Sequence, residues 1–137
     1  MIHDQYWNLL CPNMKLKAEG RKRRGLCIVF VTASSPKEAR AIARAVLEAK
    51  LAACVNIAPG VKSHFWWQGK LDSANEHLLV IKSHRRHFRK LCAAVRSHHS
   101  YQVPEIIATP VIESEKTYAQ WWLQSLAPLE GRAPQEK

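Results

Sequence analysis

The alternation of apolar and polar positions changes period several times along the chain. LCIVFVTA (26–33) is a short, nearly continuous apolar run rich in β-branched residues, which predicts a strand. Ser35-Pro36-Lys37-Glu38 then reads as a helix start: a serine N-cap, a proline at the first helical position and a glutamate placed for a capping box. Ala39, Ile42, Ala43, Val46 and Leu47 fall on one helical face, and the helix is expected to end near Lys50 to Ala53. In CVNIAPGVKSHFWWQGKL (54–71), Pro59-Gly60 predicts a bend or bulge in a long strand, and Gln68-Gly69 a tight hairpin turn. HLLVIKSH (77–84) is the returning strand. Phe88, Leu91, Cys92 and Val95 repeat at helical spacing. PEIIATPVIE (104–113) reads as a further strand with proline at its start, and KTYAQWWLQSL (116–126) as a last short helix.

The order is β-α-β-β-α-β with an added C-terminal helix. Two helices over one face of an antiparallel sheet give a ferredoxin-like α+β sandwich. Such a sheet leaves its other face bare, and a bare face must be polar, bind something or pack on another subunit. Phe65 and Trp67 share one face of their strand and Trp66 takes the other. One side of this aromatic cluster is therefore expected to meet the core and the other a neighbouring subunit. The organisation expected is a basic arm over 1–25, one domain over 26–126 and a polar tail over 127–137.

Composition sharpens this picture without changing it. The chain has 137 residues, 47% of them hydrophobic and five of them Trp, enough for one folded core. No stretch approaches the roughly 18 apolar residues of a membrane span, and residues 1–17 lack the pattern of a secretory signal, so a cytoplasmic protein is expected. Cys11, Cys27, Cys54 and Cys92 are widely spaced, and the last three sit in apolar patterns as reduced, packed thiols. The net charge of +10 is concentrated in two places. Residues 1–25 hold six Lys/Arg against two acids, and residues 82–96 hold six with no acid. A solvated tail and helix face explain this; so does weak, non-specific polyanion contact through the arm.

The candidate chemistry lies in RSHHSYQVPEIIATP (96–110). Adjacent helical residues point about 100° apart, so His98 and His99 chelate one ion only if the helix ends between them or another chain contributes. The alternative is a helix cap, since histidine near a helix C-terminus interacts well with the dipole. Tyr101, Gln102 and Glu105 are placed to line a cleft where the helix passes into the last strand. His64, His77, His84 and His87 are expected at the surface. A His99–Tyr101–Glu105 acid–base set is conceivable, but no Gly-x-Ser-x-Gly, phosphate loop or paired-carboxylate signature is present, and no enzyme is expected.

Several blocks together carry a family likeness: A-R-A-V-L-E-A-K-L-A-A-C-V-N-I (43–57), Pro59-Gly60, Ser63, Trp67 with Gly69-Lys70-Leu71, Ile81-Lys82, Arg96 to Ile106, and Tyr118 with Trp121. In this order, over about two-thirds of the chain, the sequence resembles the CutA family of divalent-cation tolerance proteins. The resemblance implies a non-catalytic homotrimer that binds or responds to divalent metal ions, copper foremost, with no required cofactor. It implies His98 and His99 as metal contacts and an inter-subunit cleft of Tyr101, Gln102, Glu105, Trp67 and Lys70. Relatives place a Cys before the first-strand Thr; here Val31 precedes Thr32, so the thiolate that would favour Cu(I) is missing. Ser100 stands where the family usually has Pro, and Trp66 where it often has a polar residue or Tyr. The competing reading is a basic nucleic-acid-binding or protein-anchoring module of the same fold. The β-α-β-β-α-β order also occurs in RNA-recognition domains, yet the two central strands supply only one aromatic residue, Phe30, for stacking bases.

Overall fold

The computed structural model describes residues 20–129. Four strands form one sheet: β1 (Leu26–Ala33), β2 (Ala52–Trp67), β3 (Lys70–His84) and β4 (Ile106–Pro110). Their order across the sheet is β2-β3-β1-β4, with every neighbouring pair antiparallel. Among the described residues the sheet is accompanied by α1 (Pro36–Glu48), α2 (Phe88–Arg96) after a 3-10 turn at Arg85–His87, and α3 (Lys116–Ser125). This is the ferredoxin-like sandwich that the element order predicts.

Local chemistry fixes the joints. Ser35 Oγ accepts the Glu38 backbone N–H at 3.1 Å, and Pro36 occupies the first turn of α1. The Glu38 carboxylate accepts from the N–H of Ser34, one residue before the cap, and also reaches Ser100, so the predicted capping box is extended into a tertiary contact. α1 stops because Lys50 turns into left-handed backbone at φ 54°, which lets Leu51 N–H bond Val46 O at 3.0 Å. At the β2–β3 turn Gln68 and Gly69 both have positive φ, the two-residue geometry that matches strand twist. The register slips between Ala58 and Val61, at Pro59-Gly60.

Side-chain alternation along β1 and β3 divides the molecule into two layers. Val29, Val31, Ala33, Leu79 and Ile81 point to one face and pack without exposure against Ala39, Ile42, Val46, Leu91 and Val95 of α1 and α2. Each such aliphatic side chain contributes about 1.5–3 kcal/mol on burial. The opposite face is covered at one end only. There Ala119 and Trp122 of α3 cluster with Leu26 and Leu126, and Trp122 Nε1–H donates to Ser83 O at 3.0 Å. Beyond that lid Ile107 is exposed, as are Tyr118 and Trp121 at the lid's margin.

Three expectations are revised. The last strand spans Ile106–Pro110 and not 104–113, because the chain from Tyr101 to Glu105 is irregular and Val111 N–H bonds Leu26 O beyond the ladder. His84 and His87 are buried, not at the surface. Each is drawn inward by a backbone partner, His84 Nε2 by Lys22 O at 2.8 Å and His87 Nε2 by Ala127 O at 3.1 Å. Phe65, Trp66 and Trp67 are all exposed, so neither side of the aromatic cluster meets the core of its own chain. β1 ends at Ala33, opposite His77, so the hairpin beyond that point projects as a two-stranded arm. The arm expected over 1–25 falls mostly outside the described residues; its described end forms a helical turn at 20–23 and then buries Gly25. Ala127, at the start of the expected tail, donates its N–H to Lys50 O at 2.8 Å.

Candidate functional site

α2 ends at Arg96, and the chain reverses through Ser97, His98 and His99 before running back to β4. His98 N–H and His99 N–H still bond Val95 O and Arg96 O, so both residues belong to the fraying helix end. Their imidazoles diverge. His98 is exposed and its Nδ1–H caps Ala94 O at 3.0 Å, with Ser97 Oγ also 3.0 Å away. The His99 side chain is buried, and Nε2–H donates to Thr32 O at 2.7 Å, tying the helix end to β1.

His99 Nδ1 faces two competing partners, the Tyr101 N–H and Glu38 Oε1, each at 3.1 Å. A neutral ring accepts from Tyr101; a protonated ring donates to Glu38. Glu38 is central to this junction. Burial opposes its ionisation, but hydrogen bonds from the Ser34 hydroxyl and from the Ser100 N–H and hydroxyl, with the His99 charge, outweigh burial and hold the carboxyl below its ordinary range. The Ser100 N–H donates to Glu38 Oε1 at 2.7 Å, a bond that proline at this position could not make.

Beyond His99 the loop presents Tyr101, whose ring lies 4.9 Å from that of His99. The Tyr101 hydroxyl is bonded to Glu76 on β3, and its proton is held above the usual range by burial, then by the charge and hydrogen bond of Glu76. Glu105 is also raised, first by burial and then by the Glu76 charge. Glu76 is only 5% exposed, and its Oε2 has no hydrogen-bond partner among the described residues. The structure thus assembles Glu76, Tyr101 and Glu105 into an acidic recess at the end of the sheet, with Gln102 exposed beside it. Sequence reasoning missed Glu76. Its signal was a lone acid in phase with Leu78, Val80 and Lys82 on the face left bare.

Trp67 and Lys70 are not part of this recess within one chain. They pair across the hairpin tip, and Lys70 stands six residues from Glu76 along β3, roughly 20 Å at strand rise. Val31 is fully buried on the helix-facing side of the sheet, and the Cys27 thiol on the same side is pushed up to about 11 by burial. Neither position offers a donor beside His99. As a chelating pair in one chain, His98 and His99 do not fit a metal ion: both nitrogens of His99 are engaged, and His98 keeps only Nε2. Among the described residues no group of three His, Cys, Asp or Glu side chains converges as a metal site.

A split β-α-β sandwich with one sheet face half open, a projecting hairpin arm and a His-His-x-Tyr junction at the end of the second helix defines a small, single-domain α+β protein built around a bare sheet. The chain belongs to the CutA1 divalent ion tolerance protein family, whose profile matches residues 27–125. It is 44% identical over 94 residues to the divalent-cation tolerance protein CutA of Thermus thermophilus, covering 69% of this chain and 91% of that one. It is 38% identical to the chloroplastic CutA 1 of Oryza sativa over 69% of this chain, and spans about half (53%) of that longer protein. The crystal structure of CutA1 from Oryza sativa superposes with a TM-score of 0.74 at 36% identity, covering 76% of this chain and 95% of that one. The Thermus thermophilus Cut A1 structure gives 0.73 at 40% identity, covering 74% and 99%.

Proposed function

We propose that this CutA-family chain is a non-catalytic, cofactor-independent cytoplasmic protein that assembles as a homotrimer and responds to divalent cations, copper foremost. The observation that carries the reading is the open sheet face with its arm. Phe65, Trp66, Trp67, Leu71 and Ile107 are exposed together with Tyr118 and Trp121, more apolar surface than an isolated small domain ordinarily leaves in water. In this reading the arm of one subunit brings Trp67 and Lys70 to the Tyr101–Gln102–Glu105 loop of a neighbour, which the roughly 20 Å separation prevents within one chain. Glu76, buried and with no partner for its Oε2 among the described residues, gives Lys70 a reason to be there.

The cation contact falls to His98 Nε2, with further donors supplied from outside the chain. An exposed imidazole suits Cu(II), which heads the divalent affinity order. Light scattering on a sizing column with EDTA present tests the assembly: a mass near three times the 15.6 kDa chain is expected, and a monomer refutes it. Titration with Cu(II) then separates the histidines. His98→Ala is expected to weaken binding at least tenfold, whereas His99→Ala acts on stability, costing about 1–3 kcal/mol for the stranded Thr32 and Glu38 partners. Undiminished copper affinity in His98→Ala removes the metal assignment and leaves the trimer standing.

A further inference from the structure

Two acid-free stretches meet in space at the end of the molecule away from the acidic recess. No Asp or Glu occurs between Gly20 and Lys37, nor between His77 and Pro104. The first stretch supplies Lys22 and Arg23 in a short helical turn; the second supplies Arg85, Arg86 and Arg89 around the start of α2. They are joined by His84. Its Nδ1 accepts the Arg86 N–H at 3.1 Å, which leaves Nε2–H to donate to Lys22 O at 2.8 Å. Arg85 N–H donates to Gly25 O at 2.8 Å. Gly25 lies so close to the imidazole that a Cβ there would stand 2.0 Å from it, so the chain must be glycine to bring the two basic blocks together.

This placement is electrostatically unfavourable for an isolated chain. A helix N-terminus favours negative charge, yet the first turn of α2 has no acid and no side-chain cap, and arginines flank it. Arg23 Nε is buried without a hydrogen-bond partner among the described residues. The positive field also reaches His84, whose protonation is opposed first by burial and then by Arg86, His87 and Arg85. Such a concentration of fixed cations is stabilised by an extended polyanion, whose phosphates release condensed counterions on binding.

We infer that Lys22, Arg23, Arg85, Arg86 and Arg89 form one composite surface that binds the phosphodiester backbone of nucleic acid without sequence preference. The surface is separate from the open sheet face and does not depend on self-association. A lipid headgroup layer is the less suitable partner, because anchoring there needs apolar residues beside the cations, and none of the exposed large hydrophobic side chains lies in 20–25 or 85–96.

The test is fluorescence anisotropy of a labelled, mixed-sequence single strand of about 20 nucleotides, titrated with full-length protein over a salt series. The expected result is binding near 50 mM salt that weakens steeply as salt rises. Arg85→Ser with Arg86→Ser should lower affinity at least tenfold and reduce the salt slope by about 1.4, two phosphate contacts' worth for a single strand. Arg40→Ser with Arg44→Ser on α1 removes the same formal charge elsewhere and should change affinity less than threefold. Circular dichroism and solution mass confirm that both variants fold and assemble as the parent does. Equal losses in the two variants would reduce the effect to net charge and overturn the composite surface. Absence of nucleic-acid binding would overturn it as well, and binding to vesicles containing phosphatidylserine in that case would reassign the surface to membranes.

Discussion

The two faces of the sheet are made by the same strands, residue by alternate residue, yet they have opposite fates. On the helix-facing side Val29, Val31, Leu79 and Ile81 are fully enclosed by side chains of their own chain. On the other side enclosure begins at Leu26 and Trp122 and stops, leaving Ile107 and the arm uncovered. The closed face supplies the stability of the subunit. Outside the α3 lid the open face adds little to it and is free to be selected for what it touches. Mutations on the two faces should therefore separate into those that unfold the chain and those that change its company.

Trp122→Ala is the largest break, since it removes the lid where the two regimes meet and strands the Ser83 carbonyl that accepts its indole N–H. The expected loss is about 3–5 kcal/mol in chemical denaturation; a loss under 1 kcal/mol would mean that α3 is not part of the fold's stability. Ile107→Ser sharpens the contrast from the other side. Ile107 is 56% exposed, so the isolated subunit should lose no more than about 0.5 kcal/mol. Its association, read as mass against concentration, should weaken at least tenfold. Unchanged mass would remove β4 from the proposed contact. The smallest effect is a proton. Glu115 caps α3 by accepting the Thr117 and Tyr118 N–H groups, and with the Thr117 hydroxyl these bonds lower its carboxyl to about 2. A lowered folded-state value stabilises above the unfolded value of 4.5 and is lost as pH falls towards 2. Glu115→Gln should therefore flatten the acid limb of the stability profile by lowering stability slightly at neutral pH, slightly because the group is exposed, and leaving stability near pH 2 almost unchanged.

Much of the fold was legible because its signals are local. LCIVFVTA maps residue for residue onto β1, Ser35-Pro36 onto the start of α1, and Gln68-Gly69 onto the hairpin turn. These depend on backbone preference and on neighbours in sequence. His84 and His87 escaped the pattern because their partners are carbonyls 62 and 40 residues away, which periodicity does not encode. The recess was half legible. Tyr101 and Glu105 stand out in the chain, but Glu76 becomes significant only when β3 carries it beneath Tyr101. His98 and His99 look like one motif in sequence and are two different devices in space, an exposed cap and a buried tie. The 100° step between helical neighbours contained that answer, and the bond from His99 to Thr32 supplied the rest.

The arm beyond Ala33 has a further consequence. Two strands with no third beside them and no core beneath are marginally stable in water. In the proposed assembly, order in residues 61–76 is then a property of the solution as well as of the sequence, tightening as subunits find one another and relaxing on dilution. For this segment that assembly would make concentration, in place of temperature, the variable that melts it.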